Sequence, residues 1–159
     1  MDLQIRPMTS KDKTAIVHML QNIPEFKPAE ILVAEEVIDS YLLDSTESGY
    51  HIFVAETDSG IVGYICFGPT PLTEGTWDLY WVAVAPNRQS QGIGKSLLLF
   101  AEEAIKGNKG RMIAIETSST PEYETTRRFY LGQGYEPTCR IADFYTIGDD
   151  KMIMVKRLT

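Results

Sequence analysis

Nine consecutive residues, Arg88-Gln-Ser-Gln-Gly-Ile-Gly-Lys-Ser96, have the types and spacing needed to hold an anion. They lie between an apolar run, Trp77 to Val84, and an amphipathic run, Ile93 to Ile105. A strand, a glycine-bearing turn and a helix starting at those glycines expose backbone N–H groups that the helix itself leaves unpaired. The helix macrodipole adds partial positive charge at the same point. Glycine lets the backbone approach a phosphate closely, so the pattern predicts a phosphorylated ligand.

Two phosphate-binding patterns fail on this stretch. A Walker A loop would need glycine where Gln89 stands, although Gly94-Lys95-Ser96 matches its tail. A dinucleotide fingerprint fits at Gly92 and Gly94 but meets Leu97 at its third glycine. A ligand-free strand-to-helix turn would also place glycines here. The spacing that does fit is Gln89-x-x-Gly92-x-Gly94 after Val82-Ala-Val-Ala-Pro86. This resembles the acyl-CoA loop of the GNAT superfamily of N-acetyltransferases. A second landmark, Arg127-Arg-Phe-Tyr-Leu-Gly-Gln-Gly-Tyr135, resembles that family's Phe-Tyr helix and its glycine exit. The two landmarks and the order of elements around them cover roughly residues 52–158.

The resemblance implies acetyl-CoA as cofactor and direct transfer of its acetyl group to a primary amine in a ternary complex. It implies that backbone N–H groups of Gln89, Ser90, Gln91, Gly92, Ile93, Gly94 and Lys95 hold the pyrophosphate. Backbone groups of Val82, Ala83 and Val84 would pair with the pantetheine arm like an added strand. On the later helix, Tyr123, Thr126, Phe129 and Tyr130 would face the cofactor, with Tyr130 giving a proton to the departing thiolate. Tyr123 stands where the family often has asparagine, a departure at the position whose side chain usually contacts the pantetheine or sulfur region. Chemistry also requires a base, because a lysine-like amine with a pKa of about 10.4 is mostly ammonium at neutral pH. Asp78 aligns with a glutamate base of the histone acetyltransferase branch, and Glu116 on the next strand competes with it. Tyr80 would share the Asp78 face by two-residue alternation. Glu25, Phe26 and Asp143, with Phe144 and Tyr145, are candidate acceptor contacts by analogy with the family's variable loops.

These residues need a frame. Leu3 to Arg6 reads as a strand, and Thr9 or Ser10 caps a helix carrying Ile16, Val17, Met19 and Leu20. Pro24 and Pro28 break it, and a second helix is predicted from about Glu30 to Leu43. His51–Glu56 and Ile61–Phe67 form a hairpin across Thr57-Asp-Ser-Gly60. Trp77–Val84 is a longer strand; the helix after it ends with Gly107 as its left-handed exit. Met112–Thr117 then crosses over parallel to Trp77–Val84. Thr120 caps the next helix with Pro121 at its first position, and Arg140–Tyr145 pairs with Met152–Lys156. The fold class is α/β (α+β), a GNAT-like fold in one domain, residues 1–159. Its mixed, mostly antiparallel sheet has about seven strands, a splayed parallel central pair and about four flanking helices.

Bulk properties narrow the classes. The chain has 159 residues, 43% hydrophobic and 23% charged, the make-up of a globular protein. A net charge of −7 argues against nucleic acid as partner, and no apolar run reaches membrane-spanning length. Cys66 and Cys139 are far apart, and His18 and His51 lack companions at metal spacing, so no metal is predicted. The turn Gly148-Asp-Asp150 reads as turn chemistry. Reduced thiols and the lack of a signal-like start predict a cytoplasmic protein. An exposed strand or helix leaves room for a homodimer. The acceptor reads as a small molecule, with a protein lysine or N-terminus as the alternative. Rival classes are an acyl-CoA-binding module without catalysis and a nucleotide binder using Gly94-Lys95-Ser96.

Overall fold

Apolar alternation and turn residues set the order of elements in the computed structural model, which describes residues 2–158. Strand β1 (Gln4–Pro7) leads through a 3-10 turn (Ser10–Asp12) into α1 (Lys13–Gln21) and α2 (Pro28–Leu43). Then follow β2 (His51–Thr57), β3 (Gly60–Pro69), β4 (Thr76–Val84), a 3-10 turn (Pro86–Arg88) and α3 (Ile93–Gly107). Strand β5 (Met112–Ser118), a 3-10 turn (Pro121–Tyr123), α4 (Glu124–Gly132), β6 (Glu136–Thr146) and β7 (Asp149–Arg157) complete the chain. The seven strands form one mixed sheet in the order β1-β2-β3-β4-β5-β7-β6. Only the β4–β5 pair is described as parallel; β1–β2, β2–β3, β5–β7 and β7–β6 are antiparallel.

The chain gathers into two compact units that share β4. One comprises the residues up to Gly68 with Trp81–Ala104, the other Pro69–Tyr80 with the residues from Ile105 onward. In the first, Ile16, Leu20, Ile38, Ile52, Tyr64 and Phe67 are fully buried with Ile93, Leu97 and Leu98 of α3. Gly63 on β3 makes that packing feasible. A Cβ there would lie 3.0 Å from the Ala83 carbonyl oxygen and 3.1 Å from Leu97 Cδ1, so a side chain would push α3 outward. In the second unit the core is Trp77, Leu79, Ile105, Ile113, Ile115, Tyr130, Tyr135 and Met154.

Four sequence expectations change. Helix α2 begins at Pro28, whose ring pre-sets the first helical φ, two residues before the predicted start. Gly107 lies within α3; the left-handed residue beyond it is Lys109, at φ 63°. Thr120 occupies the cap position of its turn but makes no capping bond with its side chain. Strand β6 begins four residues earlier than its pattern suggested. All its residues are exposed, so no buried face imprints alternation on the sequence. Among the described residues, no helix is long and apolar enough to cross a membrane.

Three buried acids carry a pH signature. Burial raises the Tyr64 and Tyr130 phenols and the Cys66 thiol above their ordinary values, because desolvation penalises the anion. The unfolded chain then releases these protons first, so it binds fewer protons than the folded chain above that point. Their stabilisation is complete below the unfolded values, about 8.5 for the thiol and about 10 for the phenols. Above them, stability is expected to fall with pH by up to about 1.4 kcal/mol per unit per group. Urea titrations between neutral and strongly alkaline pH would measure it; a flat profile would contradict the burial of these groups as ionisable acids.

Candidate acyl-CoA and proton-transfer site

The loop is shaped by its own side chains. Arg88 Nε donates to Gln91 Oε1 at 3.1 Å, and its Nη1 donates to Ser59 Oγ at 2.9 Å. Gln89 Nε2 donates to the Val84 carbonyl at 3.3 Å, and Ala85 N–H donates to Val62 O at 2.8 Å. Ser90 and Gly92 both adopt left-handed conformations, at φ 62° and 83°. That alternation turns the chain sharply into α3. Ile93 points into the core, 1% exposed, while Gln89, Ser90, Gln91, Gly92 and Lys95 are exposed and Gly94 is half-buried. The first bond into α3 runs from Ser96 N–H to Gly92 O at 3.0 Å. The amides before it are those a helix leaves without a carbonyl partner, and here they belong to an exposed loop. Arg88 and Lys95 add positive charge.

Strand β4 supplies the second feature. Its parallel ladder with β5 pairs Thr76 with Met112 and ends at Leu79 with Ile115. Strand β4 runs on to Val84 and β5 to Ser118. Val82 and Val84 are half-buried and Ala83 is buried. Tyr64 lies fully buried on β3, and Trp81 Nε1–H donates to its hydroxyl.

On the second unit, Tyr130 of α4 is 5% exposed and is walled by aromatic rings. Phe129 lies 5.3 Å and Tyr135 5.8 Å from it, centroid to centroid. Among the described residues no hydrogen-bond partner is found for the Tyr130 hydroxyl. Tyr123, at the cap position of α4, and Thr126 and Phe129 are half-buried. Arg127 is engaged elsewhere, since its Nη1 donates to the carbonyls of Ser118 and Thr120, at 2.8 and 2.7 Å. It clamps the turn after β5 to the helix that carries Tyr130.

The candidate bases and acceptor contacts differ in their surroundings. Asp78 is half-buried, opposite Ala114 in the parallel ladder, and Tyr80 is also half-buried. Glu116 is exposed and pairs with Lys151 at 2.8 Å; the Lys151 ammonium also lies 4.4 Å above the Phe144 ring. Asp143 braces its hairpin. It sits at φ 54°, accepts the Gly148 N–H at 2.8 Å, and donates its own N–H to Asp150 at 2.9 Å. Glu25 and Phe26 are half-buried in the loop between α1 and α2. Sequence reasoning missed Ser118 and Asp149, both 8% exposed, whose Oγ and Oδ1 lie 2.5 Å apart.

The family model for the acetyltransferase (GNAT) domain matches residues 48–137. A solved Desulfovibrio desulfuricans protein assigned to the GNAT acetyltransferase family is 37% identical, with a TM-score of 0.96 over 99% of this chain and 100% of its own. A ribosomal-protein-alanine N-acetyltransferase from Brucella melitensis is 25% identical over 97% of this chain and 99% of its own, with a TM-score of 0.78. The PaiA N-acetyltransferase of Thermoplasma acidophilum, solved with coenzyme A, is 19% identical over 99% of both chains, with a TM-score of 0.77. No curated protein matches. The exposed glycine loop, the parallel β4–β5 pair and the Phe129-Tyr130 helix thus occur in a chain that belongs to the GNAT family of acetyltransferases.

Proposed function

We propose that this chain is an acetyl-CoA-dependent N-acetyltransferase that moves the acetyl group directly to a primary amine within a ternary complex. The observation carrying this reading is the exposed loop at the start of α3, where left-handed Ser90 and Gly92 turn the chain into the helix N-terminus beside Arg88 and Lys95. That arrangement suits the pyrophosphate of a CoA ester. Backbone groups of Val82, Ala83 and Val84 take the pantetheine arm as an added strand. A backbone N–H there polarises the thioester carbonyl and receives the charge of the tetrahedral oxyanion. The amine attacks the carbonyl carbon, the C–S bond breaks, and Tyr130 gives its proton to the thiolate. Tyr123, Thr126 and Phe129 line the same arm. Asp78 takes the amine proton, a role supported by the pairing of its competitor Glu116 with Lys151.

The acceptor is a small molecule held by Glu25, Phe26, Tyr80 and the β6–β7 hairpin, which presents Phe144 and Tyr145 around Asp143. A protein N-terminus is the second reading, favoured by the likeness to the Brucella alanine acetyltransferase. Thiol release from acetyl-CoA tests both, using spermidine, kanamycin, free amino acids and a short peptide beginning with alanine as acceptors. The reading expects amine-dependent CoA release with at least one of them. Selective release with the peptide would move the acceptor to the protein class. Release with none, in a protein that binds acetyl-CoA, would leave only a binding module.

A further inference from the structure

We infer that Ser59, in the turn between β2 and β3, is a positioning residue for acyl-CoA binding, acting through Arg88 to hold the loop before α3 in its binding shape. The inference rests on the acetyl-CoA reading above and deepens it at the same loop. Arg88 carries the connection. Its Nε donates to Gln91 Oε1 at 3.1 Å and its Nη1 to Ser59 Oγ at 2.9 Å. One guanidinium thus ties the loop to a hairpin turn 29 residues earlier in the chain.

Regular structure stops on either side of this loop. Arg88 N–H closes the 3-10 turn on Ala85 O at 2.9 Å, and Ser96 N–H opens α3 on Gly92 O at 3.0 Å. Between them Ser90 stands at φ 62°, where the Cβ of an L-residue crowds the backbone. A residue keeps that conformation only where its surroundings enforce it. The bond from Arg88 to Gln91 closes a ring across Gln89 and Ser90, and so staples the strained residue from both sides. Gln89 Nε2 adds a bond back to Val84 O at 3.3 Å.

Ser59 fixes where the guanidinium sits. A guanidinium only donates, so Ser59 Oγ accepts from it. The serine hydroxyl is itself hydrogen-bonded to Thr57 Oγ1 at 2.9 Å, and Thr57 Oγ1 also accepts the Ser59 N–H at 3.3 Å. Thr57 in turn pairs with Gly60, whose φ of 103° closes the β2–β3 hairpin. Strand β3 also grips the start of the loop, since Val62 O accepts the Ala85 N–H at 2.8 Å. Ser59 is exposed, so truncating it removes the anchor and leaves the core packing untouched. Arg88→Lys would keep the charge but lose the planar fork that reaches two acceptors at once.

Calorimetric titration with acetyl-CoA, beside thermal melts without ligand, separates positioning of the loop from simple support of the hairpin. Ser59→Ala is expected to weaken acetyl-CoA binding about tenfold, the worth of a charge-assisted hydrogen bond, with a ligand-free melting temperature within about one degree of wild type. Ser59→Thr keeps the hydroxyl and should bind within about twofold of wild type. Arg88→Lys should lose about tenfold or more, and adding Ser59→Ala to it should cost no more than about a further twofold, because both act through one contact. Wild-type affinity in Ser59→Ala or in Arg88→Lys would overturn the inference and leave the acetyl-CoA reading in place. So would an equal loss in Ser59→Thr, or losses that add in full in the double variant. A wild type that does not bind acetyl-CoA would overturn that reading and the inference with it.

Discussion

Tyr130→Phe is expected to lower the rate of acetyl transfer by about 10² to 10⁴-fold, the usual worth of a positioned general acid. Affinity for acetyl-CoA should change little, because the ring and its packing against Phe129 and Tyr135 remain. Burial raises the phenol and keeps it protonated across the neutral range, so the donor is always loaded. The same burial makes a free phenolate costly, so the proton must move as the C–S bond breaks. A second consequence separates this tyrosine from an ordinary core residue. No hydrogen bond of its hydroxyl is found among the described residues, so removing it should change stability by less than about 1 kcal/mol. A variant with unchanged turnover would remove Tyr130 from the chemistry.

Gly92→Val should abolish most acetyl-CoA binding while leaving the fold intact. No heavy atom lies within 4 Å of where a Cβ would stand, so nothing clashes. The difficulty is the backbone at φ 83°, which an L-residue adopts at a cost of about 1–2 kcal/mol and a β-branched one resists further. The loop then relaxes, and its outward amides lose their alignment. At ligand about one hundred times above the wild-type dissociation constant, wild type gains about 2.7 kcal/mol. A hundredfold weaker variant gains only about 0.4 kcal/mol under the same conditions. The melting shift would shrink from several degrees to about one degree. A full shift in the variant would show that the loop conformation does not matter to binding.

The loop was legible because its chemistry is local. Glycines, a preceding β-run and a following amphipathic helix are contiguous, and each leaves its own mark on the sequence. The parallel β4–β5 pair followed from the helix between them. The Ser118–Asp149 bond was not legible, because its partners are 31 residues apart and Asp149 carries only a turn signal. Arg127 sat in the Phe-Tyr landmark, but only the turn around Ser118 and Thr120 shows what its guanidinium holds. Asp143 looked like a free carboxylate until its positive φ and its bond from Gly148 placed it in the hairpin turn. The full extent of β6 was hidden because an edge strand with no buried face need not alternate.

The central claim is that the loop from Gln89 to Lys95 holds a CoA ester. A thermal melt of the wild-type chain with excess acetyl-CoA, run beside magnesium-ATP, tests it most directly. The expected result is stabilisation by several degrees with acetyl-CoA and none with magnesium-ATP. No shift with acetyl-CoA, or a shift with magnesium-ATP alone, would contradict it.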